Sequence, residues 1–422
     1  TKGIEDGHWM YIAQEIKTVA KKPVGQGYRN TDPTIMEQNL ADGKCDVIAG
    51  LRYSIADPAL PLKVMEDRTE DMRKCIVCCR CIDDVVSRGL SLIYCGVNPH
   101  LGPELDHELY PKADAPKKVM VVGSGPAGIN AALTAAQRGH KVDLYEQGPR
   151  LGGCVKMSSI FSPYHERYLT YLMNEMKKHP EITVHLNTEV TPALVSSVKP
   201  DAAIVAVGGA PIGLDVPGAD GKNVITSHDF LEMLNGHKPH GKKGLFNNIM
   251  WGGGAFFLKR YYTPSFAREM TGKMTWPISR NIAIIGGGLP GCELGHLCME
   301  TGRTTAIIEE KKKIGYDVSP SERFGLTSAF KKAENVELYP LTRVTAIRED
   351  GVECIQTDRE GNEKTIFVPS KTVAITLGLD PNHTLGEKIK PMVKDVYLVG
   401  DCDNPGRIAD ATKAGYVAAC AI

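Results

Sequence analysis

Four cysteines have the spacing expected of iron–sulfur ligands. Cys75, Cys78 and Cys81 follow a C-x2-C-x2-C pattern, and Cys95 comes after thirteen intervening residues. Three thiolates on a tight loop can bind one face of a cubane, and a distant fourth completes the set. A structural zinc site more often uses two separated C-x2-C pairs, so the pattern favours a [4Fe–4S] cluster over zinc or free thiols. Cys79 is out of register, and we expect it to be a packed neighbour.

A first glycine-rich motif follows an apolar stretch at 118–122. It consists of Gly123, Ser124, Gly125, Pro126, Ala127 and Gly128, and a helical pattern follows it. Amides at such a helix N-terminus can approach a pyrophosphate closely. Glu146 ends the next apolar strand, where a carboxylate can bind ribose hydroxyls, and Gly152 and Gly153 add a second loop of close approach. These residues predict a dinucleotide site.

A second copy of this pattern begins at residue 282. Its glycines are Gly286, Gly288 and Gly291, and Glu309 ends its second strand. A carboxylate there binds a ribose diol and repels a 2′-phosphate, which favours NADH over NADPH. The lysines at 311–313 keep NADPH as an alternative, because one of them can pair with a 2′-phosphate. Two such folds in one chain predict one tightly held flavin and one exchanging nicotinamide nucleotide.

The elements that carry these motifs indicate an α/β protein. Residues 1–74 alternate helical and strand patterns, in units too few to close a barrel by themselves. Residues 75–116 lose periodicity and are expected to be a ligand-held connector, and the segment 236–280 is expected to be an insertion. A redox disulfide is not expected, because Ser159 stands where a partner for Cys154 would be needed.

Composition excludes several classes of partner. The 422 residues carry 50 Lys+Arg and 50 Asp+Glu, so no broad basic field exists to attract nucleic acid or an anionic membrane. No apolar run is long enough for a spanning helix, and the start has no signal-peptide core. With twelve cysteines expected to be thiols or metal ligands, we expect a cytoplasmic protein.

The order of the motifs resembles a known family. The stretches at 56–63, 121–128, 206–209 and 399–401, with the four cysteines and the second glycine cluster, are similar to NADH:flavin oxidoreductases that join an old-yellow-enzyme barrel to an iron–sulfur loop and a glutathione-reductase-like pair of domains. Relatives include 2,4-dienoyl-CoA reductase, enoate reductases and trimethylamine dehydrogenase. The resemblance implies an α/β chain with a partial (β/α)8 barrel end, an iron–sulfur connector and two Rossmann-like dinucleotide-binding domains.

The resemblance also implies cofactors and domain limits. Residues 1–74 would be the end of an FMN-type barrel, 75–116 the cluster loop, 117–215 with 376–422 the FAD domain, and 216–375 the NAD(P)H domain. FAD would contact Gly208, Gly400, Asp401 and Ala411 in addition to the first glycine motif. Arg52 would hold the FMN phosphate, but Leu51 and Tyr28 depart from the family pattern there, so FMN binding stays open.

The implied reaction is hydride transfer from NADH to FAD, with electrons then passing through the cluster to FMN to reduce an activated C=C bond of an enoyl-CoA or enoate. Two alternatives remain: an amine dehydrogenase of the trimethylamine dehydrogenase type, and an electron-transfer subunit without its own substrate site. Catalytic residues for the organic substrate are not identifiable. Partners are expected to be a small-molecule substrate and either a second copy or a partner subunit that completes the barrel.

Overall fold

The computed structural model describes residues 5–89, 92–102, 110–239, 245–275 and 277–422. Helices and short strands alternate before the cysteine motif: α1 (Met10–Lys17), β1 (Gly25–Gln26), α2 (Pro33–Ala41), β2 (Val47–Ile48), α3 (Leu51–Ala56) and α4 (Leu60–Met65). The strands β1 and β2 form a parallel pair. Asp32 caps α2 by accepting a hydrogen bond from the amide of Thr34. A two-stranded parallel sheet leaves both outer edges without a strand partner among the described residues.

The middle of the chain contains two sets of strands and helices. After α5 (Arg80–Val86), the first set comprises β3 (Lys118–Val122), α6 (Pro126–Gln137), β4 (Lys141–Tyr145), α7 (Val155–Phe161), α8 (Pro163–Lys178), β5 (Ile182–His185), α9 (Pro192–Val198), β6 (Ala202–Val205) and β7 (Ala210–Pro211). The second set begins with β8 (Val224–Thr226), α10 (Ser227–Leu234), α11 (Leu245–Tyr261), α12 (Pro264–Lys273), β9 (Asn281–Ile285), α13 (Leu289–Glu300), β10 (Thr304–Ile308), α14 (Pro320–Lys332) and β11 (Val336–Tyr339).

The C-terminal part completes both sets. It contains β12 (Thr342–Arg348), β13 (Gly351–Thr357), β14 (Glu363–Pro369), β15 (Thr372–Ile375), β16 (Leu379–Asp380), α15 (Thr384–Ile389), β17 (Asp395–Leu398) and α16 (Ile408–Cys420). One parallel sheet has the order β17-β6-β3-β4-β5 and the other β11-β10-β9-β15-β8. The strands β12, β13 and β14 form an antiparallel meander. This architecture is the α/β class predicted from the sequence.

The central strands of both sheets are buried. Val119, Val121 and Ile204 are inaccessible to solvent in the first sheet, and Ile282 and Ile284 are inaccessible in the second. Parallel strands with both faces covered require continuous apolar sequences. This explains the apolar stretches that precede the two glycine motifs. The rigid strands end at the two glycine motifs, so each sheet fixes the position of one motif.

The segment 236–280, predicted to be an insertion, contains two helices in its described part. The helix α11 crosses three consecutive glycines at 252–254, and α12 is capped by the Thr263 hydroxyl, which accepts from the amide of Phe266. Arg268 of α12 donates to the carbonyl oxygen of Ile160 at 3.1 Å, which ties this segment to α7. Residues 240–244 and Trp276 lie outside the described residues.

Candidate cofactor sites

The four cysteines predicted to hold a cluster line one cavity. Its walls are formed by residues from three segments of the chain: Arg52, Ile55, Cys75, Ile76, Val77, Cys78, Cys79, Cys81, Cys95, Gly96 and Val97. Val77 and Cys79 have φ angles of 55° and 58°, in the left-handed region. These two residues turn the chain sharply between successive cysteines of the motif, at a cost in backbone energy. The sequence therefore folds a tight loop of thiols around a shared space.

Backbone amides point at the sulfurs. The amide of Val77 donates to Cys75 Sγ at 3.4 Å, and amides near Cys78, Cys81 and Cys95 also act on their sulfurs. Burial nevertheless raises the pKa of Cys75 to about 12 and raises the pKa of the other three thiols. A cation must therefore displace protons on binding, and the amides then stabilise the thiolates.

Glycine at position 96 leaves room for one sulfur of the cysteine loop. A Cβ added at Gly96 would lie 2.7 Å from Cys78 Sγ, so only glycine leaves the sulfur in place. The donors that line the cavity are the three thiols of the tight triplet and the thiol of the distant Cys95, a set that fits a [4Fe–4S] cluster.

Two residues near this cavity were given other roles from the sequence. Cys79 donates weakly from Sγ to the carbonyl oxygen of Val77 at 3.8 Å, which suits the expected packed neighbour. Arg52, expected at an FMN phosphate, lines the same cavity, and its guanidinium carbon is 5.8 Å from the ring centre of Tyr28. Arg52 of α3 thus lies beside the cysteine loop. Leu51 beside it is 73% exposed.

Two glycines of the first motif lie where a Cβ would collide with a backbone carbonyl oxygen. A Cβ on Gly123 would lie 2.3 Å from the carbonyl oxygen of Ala206, and one on Gly128 would lie 1.9 Å from the carbonyl oxygen of Gly123. Gly125 faces open space, with nothing within 4 Å of its added Cβ. This opening lies at the N-terminus of α6, where the helix dipole favours an anion. The motif residues Ser124, Pro126 and Ala127 continue the same turn into α6.

The acid predicted to bind ribose lies next to this motif. Glu146 Oε2 accepts from the amide of Ser124 at 3.2 Å, and Glu146 Oε1 accepts from the amide of Gly148 at 2.7 Å. The amide of Gly152 donates to the carbonyl oxygen of Ser124 at 2.9 Å, and a Cβ on Gly153 would lie 2.7 Å from Gly125 Cα. The structure therefore brings together the residues that the sequence assigned to the first site.

The C-terminal residues assigned to the first site lie beside the first glycine motif. A Cβ on Gly400 would lie 3.0 Å from Ala127 Cβ and 3.7 Å from Ala411 Cβ, so α16 begins beside the start of α6. Asp401 Oδ1 accepts from the amide of Gly406 at 3.0 Å, and burial raises the pKa of Asp401. Gly208 has a φ of 81°, and nothing lies within 4 Å of a Cβ added there. Two helix N-termini thus flank one opening.

The second motif repeats these contacts. A Cβ on Gly286 would lie 2.7 Å from the carbonyl oxygen of Thr376, and one on Gly291 would lie 1.8 Å from that of Gly286. Glu309 Oε2 accepts from the amide of Gly287 at 2.7 Å, as Glu146 does from Ser124. Gly288 differs from its counterpart Gly125, because other atoms lie within 4 Å of a Cβ added at Gly288. Lys311, one of the lysines considered for a 2′-phosphate, has its ammonium 3.5 Å from the ring centre of Tyr316.

An ion-pair chain that sequence reasoning missed joins the cysteine loop to α16. Arg80 Nη1 donates to Asp410 Oδ1 at 2.8 Å, while Arg80 Nε donates to Asp84 Oδ1 at 2.9 Å. Asp84 is completely buried and also accepts from the amide of Tyr94 at 2.9 Å. The i, i+4 spacing of Arg80 and Asp84 inside the cysteine motif was the available signal. The pairing with Asp410 had no local signal.

His100 is a second residue without an assigned role. Its ring makes edge-on contacts with Tyr110 and Tyr416, at centroid distances of 4.6 and 4.9 Å. Burial, followed by the charges of Arg73 and Lys413, lowers its pKa to about 3. His100 is therefore neutral at physiological pH. It packs the end of the cysteine loop against α16, as does Lys413, whose Nζ donates to the carbonyl oxygen of Pro99 at 2.8 Å.

The residues considered for a disulfide mechanism support none. Cys154 is exposed, and Ser159 is buried, with its hydroxyl donating to the carbonyl oxygen of Val155 at 2.7 Å. All twelve cysteines of the chain are unpaired. No helix in the described residues has the length and apolar composition needed to cross a bilayer.

Comparison with known proteins gives a consistent set of relatives. A family model described as pyridine nucleotide-disulphide oxidoreductase matches residues 117–417. The chain is 31% identical over 422 residues to an NADH oxidase from Thermoanaerobacter brockii, covering 98% of this chain and 57% of that protein. It is 27% identical over 424 residues to a dimethylamine dehydrogenase from Hyphomicrobium sp. (strain x), covering 96% and 55%.

Among solved structures, a 2-naphthoyl-CoA reductase in complex with 2-naphthoyl-CoA matches with a TM-score of 0.82 and 27% identity. That match covers 100% of this chain and 57% of the reductase chain. The chain thus spans less than two thirds of the length of these three proteins.

Proposed function

The chain belongs to the pyridine nucleotide-disulphide oxidoreductase family, and from that premise we propose that it is the electron-entry part of an NADH-dependent flavin and iron–sulfur reductase. Membership confirms the oxidoreductase class, the dinucleotide-binding fold and the resemblance read from the motifs. The observation that carries the proposal is the ion pair from Arg80, in the cysteine loop, to Asp410 of α16, because α16 begins beside the first glycine motif.

When bound, a flavin dinucleotide accepts hydride from a nicotinamide, and a [4Fe–4S] cluster carries single electrons onward. In our proposal Gly123, Gly125 and Gly128 bring amides to the flavin pyrophosphate. Glu146 holds the ribose hydroxyls. Gly400 and Asp401, at the start of α16, border the same opening.

We assign the nicotinamide nucleotide to the second motif. Gly286 and Gly291 allow the same close backbone approach there, and Glu309 is placed to accept hydrogen bonds from a ribose diol. A carboxylate at this position disfavours a 2′-phosphate. Lys311 does not offset that preference, because its ammonium lies over Tyr316. NADH is therefore the proposed donor and NADPH the alternative.

We assign the cluster to Cys75, Cys78, Cys81 and Cys95. The cavity that these thiols share, the amides directed at their sulfurs and the requirement for glycine at position 96 all support this ligand set. Cys79 belongs to the same loop but is excluded from the set by its register. A cytoplasmic location goes with this proposal, because a reducing compartment keeps such thiols available.

We propose that the organic substrate binds outside the two dinucleotide motifs and the cysteine loop. Given the resemblance and the reductase among the matched structures, we propose reduction of an activated C=C bond in an enoyl-CoA or enoate, with Arg52 facing an FMN of the barrel. The two open edges of the β1–β2 pair support completion of that barrel by further strands. The dimethylamine dehydrogenase among the relatives keeps amine oxidation as a second candidate.

Substitutions of two neighbouring cysteines in the loop, Cys78 and Cys79, test the ligand assignment. Cys78→Ser should abolish most iron and sulfide binding, whereas the matched control Cys79→Ser should retain both. Iron and acid-labile sulfide are measured per chain after anaerobic purification, together with flavin content. Equal iron in the two variants would refute the assignment. Reduction by NADH, with no reduction by dimethylamine, favours the reductase over the amine dehydrogenase.

A further inference from the structure

The two dinucleotide motifs align in sequence with a constant offset, and one of the differences between them affects the start of the motif helix. Glu146 and Glu309 occupy equivalent places, as do Gly152 and Gly315. The amide of Gly315 donates to the carbonyl oxygen of Gly287 at 2.6 Å, as that of Gly152 donates to Ser124. After these glycines the first motif has Gly153 and Cys154, and the second has Tyr316 and Asp317.

This difference fills the anion position of the second motif. Gly125 in the first motif faces open space, whereas a Cβ at the equivalent Gly288 would lie 3.2 and 3.3 Å from the two carboxylate oxygens of Asp317 and 3.3 Å from the hydroxyl of Tyr316. Asp317 Oδ1 also accepts from the amide of Leu289 at 2.8 Å. That amide is at the first position of α13, where the helix offers its unpaired donors.

We propose that Asp317 is an internal competitor for the nicotinamide nucleotide, with its carboxylate held where the nucleotide pyrophosphate must bind. This inference rests on the proposed function of the second motif. Two anions cannot share one helix N-terminus without repulsion, so binding requires Asp317 to leave. Asp317 is exposed, which gives its carboxylate a route into solvent. The nicotinamide nucleotide is thereby bound weakly enough to exchange, while the open first motif retains its flavin.

The loop that carries Asp317 also contacts the start of α16, which borders the first motif. Arg407, at the N-terminus of α16, donates from Nη2 to the carbonyl oxygen of Asp317, and its amide donates to Asp410 Oδ2 at 2.9 Å. Ser321 at the start of α14 donates to Asp83 Oδ1 of α5 at 2.9 Å. The Asp317 loop is therefore tied to α16 through Arg407, and the following helix α14 is tied to α5 through Ser321.

The test is calorimetric titration of the cofactor-loaded protein with ADP-ribose, which carries the pyrophosphate without redox chemistry. Asp317→Ala should bind ADP-ribose about two- to fivefold more tightly than wild type, from the usual strength of an exposed carboxylate at a helix N-terminus. Asp317→Asn should fall between them, because it keeps an acceptor for Leu289 and loses the charge. Glu310→Gln removes a charge from the same loop without touching α13, and should bind as wild type does.

Flavin content and thermal unfolding show that each variant is folded. Unchanged or weaker binding by Asp317→Ala, with binding by wild type intact, overturns the competitor role and leaves the proposed function standing. Binding by the variant but not by wild type supports the competitor role. Absence of binding in every protein refutes the nucleotide assignment of the second motif and this inference together.

Discussion

Adding one methyl group at Gly96 should weaken retention of the proposed cluster while leaving the flavin bound. A Cβ at this position would lie 2.7 Å from Cys78 Sγ, and ordinary contact between such atoms needs about 3.5–4.0 Å. The sulfur or the backbone must therefore move by about 1 Å. Overpacking of this kind costs about 1–3 kcal/mol, which corresponds to roughly five- to 150-fold weaker retention of the cluster. The backbone of Gly96 lies outside the left-handed region, so alanine adds no conformational strain.

The assay is iron and sulfide per chain for Gly96→Ala, measured with flavin content on the same sample. The matched control is Gly213→Ala, because nothing lies within 4 Å of a Cβ added at Gly213. We expect Gly96→Ala to hold less than about half of the wild-type iron, and Gly213→Ala to hold all of it, with flavin content the same in both. Wild-type iron in Gly96→Ala would refute the placement of the cluster against Cys78.

Three other changes follow from the same contacts. Arg80→Gln leaves the buried Asp84 carboxylate underpaired and should lower the free energy of unfolding in urea by about 2–4 kcal/mol, whereas the half-exposed Arg88→Gln should lower it by less than about 1 kcal/mol; equal losses would contradict this. Gly291→Ala forces a Cβ to within 1.8 Å of a carbonyl oxygen and should abolish ADP-ribose binding while flavin is retained; normal binding would contradict the predicted packing. Because the pKa of His100 is lowered in the folded protein, the unfolded chain takes up a proton at this histidine at a higher pH than the folded protein does. The free energy of unfolding therefore falls as pH drops below about 6.5, and near pH 5 wild type should have lost about 2 kcal/mol more than His100→Phe. Parallel pH profiles of the two proteins would contradict this.

The motifs and the elements around them could be predicted because their signals are local. The helix α2 shows such local signals, since Asp32 caps it and Pro33 starts it. Both glycine motifs and their ribose acids were found because strand, turn, helix and acid follow each other within one βα unit. The four cysteines proposed as cluster ligands were predicted from spacing alone.

Contacts between distant segments could not be predicted. Arg80 and Asp410 are separated by 330 residues and meet only because two folded units pack together. The filling of the second anion position by Asp317 depends on loop conformation, although the Gly153-to-Tyr316 difference was visible once the repeat was aligned. The helix α11 was missed because three consecutive glycines have low helix propensity, and burial of Trp251 and Ala255 stabilises the helix instead.

Rapid anaerobic mixing of the purified protein with NADH tests the central claim most directly. Our account predicts FAD and about four irons per chain, with prompt bleaching of the flavin absorbance followed by loss of the cluster absorbance. In Cys78→Ser the flavin should bleach without the second phase. Zinc in place of iron, or a visible spectrum that neither NADH nor NADPH bleaches, would contradict the proposal that this chain is where electrons enter.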